Sequence, residues 1–599
     1  MADKELEKYE KRRQKERDKF EAERKKWKQQ ETKKRVKKSS KRELSPVWFK
    51  AAAIVVSAAI VLGIGSIYAV SYGIPGRFYP ALTVEGMTVY EPEWAFYFYG
   101  EYMRLANTAA QYAQYGLGSL FGLDISRSPF GQAIPESAFG TAIPEREKMD
   151  ASIRNWDDYL CWYASNALQT GRALYAEALK AGFTVSEKDQ KEIDEGMEQL
   201  REDARKYAVS VSAMLRMNYT PGITERFYRR QYERDMVTSA FQEQKQEELR
   251  GNYTEAMLQK EYDEDPGAYD LVDLRIQAFS KKILEPKEGE SEEALAARQA
   301  ADDAEKKKEA EEFLAAAGTE EAFIAAAAAL LHAEHADEEA GEEEEEAEEA
   351  HDHTDTADAN TLEARLRKAD LSTRYQSEDM ADWAFDTARK AGDRDVIETG
   401  SSFFAVYVTR APYAPVTVDF YTLSLPLDVD EYAGEEEIDY AIEEARESAE
   451  ELLAEWKNMG ATREAFASLV MSFAVAAGDP NAEEPDLGLS KAAKPGDAQD
   501  AAVDQWLFAA GRKTGDYEII ESEYGITIAY LVSKNEEDFV WKSEMADKHV
   551  AEDYEAYLEE LRGQYPKQER KLGINAGLKA AQRMCDAFVL SYSQYSAGY

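Results

Sequence analysis

Trp383–Arg410 reads WAFDTARKAGDRDVIETGSSFFAVYVTR, and Trp506–Ser533 reads WLFAAGRKTGDYEIIESEYGITIAYLVS. Aligned without gaps, they match at Trp383/Trp506, Phe385/Phe508, Arg389/Arg512, Lys390/Lys513, Gly392/Gly515, Asp393/Asp516, Ile397/Ile520, Glu398/Glu521 and Tyr407/Tyr530. Nine identities in 28 positions mark an internal repeat, which decides the architecture before any single element does. Working upstream, Gly318–Phe323 echoes Gly460–Phe466, and Val272-Asp273-Leu274 echoes Val418-Asp419-Phe420. Each copy reads strand, long helix, Glu-Ala-Phe helix, Trp-x-Phe helix, Gly-Asp turn and two closing strands. The sequence therefore predicts a small α+β domain occurring twice, at 269–412 and 415–535.

The rest of the chain is read outward from this pair. Residues 80–262 carry long helical patterns, at Trp156 to Gly182, Ser186 to Tyr207, Thr224 to Glu248 and Thr254 to Tyr262. Ser186 suits an N-cap, with Asp189 three residues on. Ahead of them, Leu82, Val84, Met87 and Val89 alternate about Glu85-Gly86, the pattern of a short hairpin. Helical patterns return over 538–599 and are expected to complete a helical domain with 80–262. Inside the first repeat, residues 332–360 are of low complexity, with ten acidic residues among the 14 from Asp337 to Ala350. Such a run cannot bury a core, so a solvated, disordered insertion is expected there.

Charge is distributed unevenly along the 599 residues. The formal net charge is −44, yet residues 1–45 carry +9, which leaves −53 for the remainder. Between Lys50 and Arg77 lie 26 uncharged residues, AAAIVVSAAIVLGIGSIYAVSYGIPG. That exceeds the roughly 20 apolar residues needed to span a bilayer. Trp48 and Phe49 flank one end, and Tyr68, Tyr72, Phe78 and Tyr79 the other, as interfacial aromatics do. The expectation is a basic cytoplasmic arm at 1–45 that touches anionic lipid, and a single-pass anchor at 46–73. The acidic bulk would then lie outside the cytoplasm, because basic residues stay inside. A cleaved signal peptide, the competing reading, would have a shorter hydrophobic region and a shorter polar lead. An acidic body of this size disfavours a nucleic-acid partner, since phosphate binding needs cationic surface.

With these parts in order, residues 80–565 resemble the membrane-anchored parvulin-type foldases of the SurA, PrsA and PpiD group. Thr83–Val89 followed by Glu93 resembles that group's opening strand, turn, strand and first helix. Ala178–Ser186 resembles its chaperone-domain helix junction, and Tyr262 before Tyr269 to Phe279 resembles the entry into a parvulin domain. Asp486-Leu487-Gly488 resembles that domain's Gly-rich turn, and Glu523–Ile528 its closing strand. The fold class implied is α+β and mostly helical, with a transmembrane helix, a SurA-like helical domain and two parvulin-like domains.

The family's active site places one histidine on the first strand and one on the last. Here the first-strand positions are Arg275-Ile276 in repeat one and Tyr421-Thr422 in repeat two, and the last-strand positions are Phe404 and Thr527. The five histidines, His332, His335, His351, His353 and His549, lie in neither strand. Prolyl isomerisation breaks no bond, and its barrier of about 18–20 kcal/mol comes from amide resonance. Desolvation and twisting of the imide can lower that barrier without imidazole. By resemblance, a peptide groove in repeat two would draw on Phe466, Met471, Phe473, Trp506, Phe508 and Thr527; ordinary core packing explains the aromatic residues as well.

Other chemistry is sparse. His332 with His335, and His351 with His353, sit among acidic residues and would bind divalent ions only weakly, if the segment were ordered. Cys161 and Cys585 are too few for a disulfide framework; a single bridge and two free thiols both remain open. No phosphate-binding glycine loop, nucleophile elbow or metalloprotease motif is present, and no cofactor is implied. The function expected is that of an extracytoplasmic chaperone that binds unfolded or newly exported polypeptides. The alternatives are a working peptidyl-prolyl cis–trans isomerase and a structural envelope protein that docks one fixed partner.

Overall fold

Glu85 and Gly86 both adopt positive φ, at 43° and 79°. This is the two-residue turn whose twist suits a hairpin, and it joins β1 (Pro80–Val84) to β2 (Met87–Tyr90). A computed structural model describes residues 73–114, 118–288, 290–339, 354–425, 434–477, 487–522 and 525–596, with positions 19, 25, 26, 427 and 429. The basic arm and the expected anchor at 46–73 lie outside these residues, apart from the three isolated arm positions and Gly73. Among the described residues no helix is long and apolar enough to cross a membrane.

The helices of the first part are α1 (Glu91–Gln114), α2 (Trp156–Lys180), α3 (Glu187–Lys206), α4 (Val211–Asn218) and α5 (Glu225–Arg250). Sequence signals start them as expected: Ser186 and Asp189 form a capping box on α3. Next come α6 (Glu255–Glu264) and the first repeat. That repeat runs β3 (Leu271–Ser280), α7 (Glu292–Ala316), α8 (Glu320–Glu339), α9 (Thr354–Thr361), β4 (Leu362–Leu366), α10 (Lys368–Tyr375), α11 (Glu378–Ala384), β5 (Arg394–Glu398) and β6 (Ser402–Tyr413). The second runs β7 (Val416–Leu425), α12 (Glu435–Asn458), α13 (Arg463–Ala477), β8 (Leu489–Ala493), α14 (Ala501–Phe508), β9 (Tyr517–Ser522) and β10 (Gly525–Phe539). The chain closes with α15 (Val540–Gln564), β11 (Lys567–Glu569) and α16 (Lys571–Ser596). The protein is α+β and mostly helical, with three small antiparallel sheets among the described residues.

Both repeats fold alike. Their sheets run β4-β3-β6-β5 and β8-β7-β10-β9, so each places its own strands in the order 2-1-4-3. The conserved Gly-Asp turn is built identically in the two. Gly392 and Gly515 take φ of 92° and 93°, a conformation that costs glycine little. Their N–H groups donate to Val408 O and Leu531 O, each at 2.8 Å. Asp393 and Asp516 accept from the N–H of Lys390 and Lys513 at 3.0 and 2.8 Å. The Arg389 guanidinium sits 4.2 Å over the Trp383 ring, and Arg512 sits 4.5 Å over Trp506. Only the flanks of the acidic insertion expected at 332–360 are described. Described residues on both flanks, to Glu339 and from Thr354, are helical, while 340–353 lie outside the described set. Alanine-rich sequence such as Ala325–Ala329 favours helix locally, whatever the charge beyond it.

The chain divides into two units, 1–242 with 558–599 and 243–557. The C-terminal stretch from 538 is therefore shared between them. Trp541, Met545 and Ala546 pack with Leu258 of α6, and Trp541 stacks on Tyr262 at 4.5 Å. In the first unit β11 pairs with β1 and completes the sheet β11-β1-β2. Its core holds the fully buried rings of Trp94, Phe98, Tyr102, Trp156 and Tyr159. Trp94 Nε1 donates to Ser165 Oγ at 3.1 Å, and Tyr159 Oη to Glu101 at 2.8 Å. The Gln169 amide donates to the carbonyls of Arg562 and Tyr565, each at 2.9 Å, satisfying the exposed end of α15.

Candidate functional site

The two faces of the second sheet are set by the alternation along β7 and β10. Tyr421, Leu423, Ile526, Ile528 and Tyr530 point toward α12 and α13, where Trp456, Phe466 and Leu469 fill the core. Val418, Phe420, Ala529 and Leu531 point the other way, toward α14, where Val503, Trp506 and Leu507 pack. Thr527 shares this second face by parity. The residues expected to form one groove are thus divided by the sheet. Phe466 is fully buried in the first core and stacks on Tyr530 at 5.1 Å. Met471 and Phe473 belong to α13 on the same side, half-buried and exposed respectively. Trp506, Phe508 and Thr527 are on the α14 side. Phe508, half-buried, lines a small hollow of about 200 Å³ with Arg410, Tyr413 and Lys534. No single surface gathers all six.

Register moves the first-strand position as well. Thr527 is paired with Ser424, two residues beyond Thr422, and their hydroxyls are 3.0 Å apart. In repeat one the equivalent pair is Ala278 with Phe404, not Arg275-Ile276. Arg275 is buried on the opposite face, where it binds Glu320, Asp358 and the Asp358 carbonyl. Phe404 packs edge-on against Tyr375 of α10 at 5.0 Å and joins the core. Rings thus cover this face in repeat one. Repeat two has hydroxyls in place of Ala278 and Phe404, and a short turn (494–499, without an aromatic residue) in place of α10.

Around Thr527 the site is polar and orderly. Asp500 caps α14 by accepting from the N–H of Ala502 at 2.8 Å, and it also accepts from the Ser522 hydroxyl. Trp506 Nε1 donates to Glu518 at 3.3 Å while Arg512 covers its ring. Ser424 is exposed, Thr422, Asp500 and Ser522 are half-buried, and Thr527 is 4% exposed. The sequence reading passed over Ser424, Asp500 and Ser522. Asp500 carries a signal of its own, an acceptor side chain directly before an apolar helical run. Ser424 could be found only from the pairing register.

Chemically, this face offers hydroxyl and amide hydrogen bonds beside apolar surface. It holds no imidazole, and Asp500 is occupied as a helix cap, so a general base paired with a nucleophile is not assembled on this face among the described residues. His332 is exposed on α8 in the helix that also carries His335, while His351 and His353 lie outside the described residues. Among the described residues no group of three His, Cys, Asp or Glu could hold a metal ion. His549 stacks on Tyr253 at 4.9 Å and its Nε2 lies 2.8 Å from Glu261. Cys161 on α2 and Cys585 on α16 are free thiols. Burial pushes the Cys161 thiol up to about 12 and raises Cys585 too, so neither is a ready nucleophile. No family model and no curated protein matches the chain.

Proposed function

We propose that the chain is a membrane-tethered extracytoplasmic chaperone that holds unfolded or newly exported polypeptides, using the Thr527 face of repeat two. One observation carries this reading. The same module occurs twice, with this face covered by Phe404 and Tyr375 in the first copy and lined by Ser424 and Thr527 in the second. Ser424, exposed at the strand end, and the Thr527 hydroxyl beside it suit an extended chain, which offers backbone amides to pair with. Neither copy supplies imidazole at the paired positions, so holding is favoured over isomerisation. The uncharged run 51–76 after a basic arm supports the tether and a contact with anionic lipid.

The full chain in detergent tests the reading. Its effect on aggregation of a chemically unfolded protein is measured beside its effect on a proline-limited refolding rate. Suppressed aggregation without acceleration is expected. Acceleration that disappears in Thr527→Val would transfer the assignment to a prolyl isomerase. Absence of both effects, with one stoichiometric protein recovered from detergent extracts, would favour a fixed envelope partner. The topology is checked separately: protease applied outside intact cells should digest residues beyond 80 and spare 1–45.

A further inference from the structure

Repeat one keeps the fold but not the hydroxyl pair, which raises the question of what it does. The two copies diverge at three positions that bear on one helix, α14. In each, the second strand bulges so that one residue takes positive φ and donates its N–H to an aspartate of the first strand. These are Arg365 (φ 58°) to Asp273 at 2.7 Å, and Ala492 (φ 48°) to Asp419 at 2.8 Å. Only repeat one loads the bulge with a long cation. Arg365 reaches out of its own module and pairs with Asp504 of α14. Asp504 is 4% exposed, and its other oxygen accepts from Gly496 N at 2.8 Å. The residue equivalent to Asp504 in repeat one is Ala381, buried in an apolar core. At the far end of α14, Arg410 donates to the carbonyl of Phe508 at 3.2 Å. Its counterpart, Ser533, stays within its own module and donates to Asp419 at 2.7 Å.

Two arginines of repeat one therefore hold one helix of repeat two, at its middle and at its C-terminal end, and nothing reciprocal is built the other way at the matching positions. A buried carboxylate is tolerated only when paired, so Asp504 ties the placement of α14 to Arg365. An open cleft of about 680 Å³ lies beside the pair, lined by Asp370, Arg374 and Pro495 among others, so water reaches it. We propose that repeat one is a brace, in which Arg365 and Arg410 act as positioning residues that set α14 and, with it, Asp500, Trp506 and the Thr527 face. The effect on clients rests on the function proposed above; the brace itself does not.

Amide exchange of residues 501–508 in the full chain is compared among the wild type, Arg365→Ala and Arg410→Ala. Affinity for a permanently unfolded, carboxymethylated lactalbumin is measured beside it. The brace requires exchange in α14 to accelerate at least about tenfold in Arg365→Ala, with β3 and β6 of repeat one still protected. Client affinity should fall at least about threefold. Reversing the pair, with Arg365→Asp and Asp504→Arg together, should recover part of the protection. Arg410→Ala leaves Asp504 paired with Arg365 and gives the same readout if Arg365→Ala fails to fold; because Arg410 also faces Asp273 of β3, protection of β3 is read in this variant too. Unchanged exchange at 501–508 in both single variants overturns the brace. Faster exchange with unchanged client affinity upholds the brace and counts against the Thr527 face as the client site.

Discussion

A Cβ placed on Gly573 would stand 2.1 Å from the Pro80 carbonyl oxygen, and one on Gly577 would stand 2.6 Å from the Trp94 ring. These glycines, one turn apart on α16, let the helix approach β1 and the buried tryptophan. Alanine usually stabilises a helix interior by about 1 kcal/mol relative to glycine. Here overpacking should exceed that gain, since forcing a methyl into a filled core costs about 1–3 kcal/mol. Gly573→Ala should be the worse of the two, because its obstacle is backbone. Gly171→Ala, in the middle of α2 with nothing within 4 Å of the added carbon, is the control and should stabilise. Urea unfolding of the three full-length variants decides it. If Gly573→Ala and Gly171→Ala shift the midpoint in the same direction, close packing of α16 is not the reason for the glycine.

At the scale of the element, α14 depends on the residue just before it. Asp500 satisfies helix N–H groups and ties them to Ser522 of β9. Asp500→Ala should cost about 1 kcal/mol, typical of a lost N-cap, and loosen the helix start beside Thr527. Exchange at Ala502 and Val503 should rise while α11, capped independently by Ser377, is unaffected; protected amides at 502 and 503 would contradict this role. Elements like these are legible in sequence because their signals act over a few residues. Ser186 with Asp189, the Glu85-Gly86 turn and the nine repeat identities each predict what forms. Other features are set by partners more than a hundred residues away. Phe466 and Trp506 look alike as residue types, yet the parity of β10 and the opposite docking of α13 and α14 put a sheet between them. Thr527 meets Ser424 and not Thr422 because the β7–β10 register, unbroken from Ile526–Leu425 to Leu531–Phe420, pairs them, and pairing register is not written in either strand alone. The strand β11 has three polar or charged residues, Lys567 to Glu569, and no alternation to announce it.

Over the whole molecule the acidic excess has a counterpart in how the first unit responds to pH. Burial pushes the Glu91 carboxyl up to about 7, against the attraction of Arg583, and pushes Asp235 up to about 6, against the Gln231 hydrogen bond. Burial raises Glu93 too, although Arg234 and Arg172 bind it. An acid with a folded-state pKa above its unfolded value holds its proton more tightly when folded. Its stabilising contribution is complete below about 4.5 and is lost as pH rises through the folded value. Carboxyls held below their usual range, such as those of Asp124 and Asp189, act in the opposite sense, but their window lies below pH 4. Between pH 5 and 8 the raised group dominates, and the first unit should become less stable as pH rises. Each proton lost also brings the chain closer to its formal charge of −44, which counts every carboxyl as ionised, so added salt should soften the trend by screening. Exchange of the α1 amides in the full chain, at pH 5.5 and 8 after correction for intrinsic rates, measures the effect. Glu91→Gln should flatten it, since the amide keeps the shape without the ionisation. Equal protection of α1 at both pH values in the wild type would mean that Glu91 stays ionised across the range and that Arg583, not burial, governs it; an undiminished loss in Glu91→Gln would move the trend to Asp235 or Glu93.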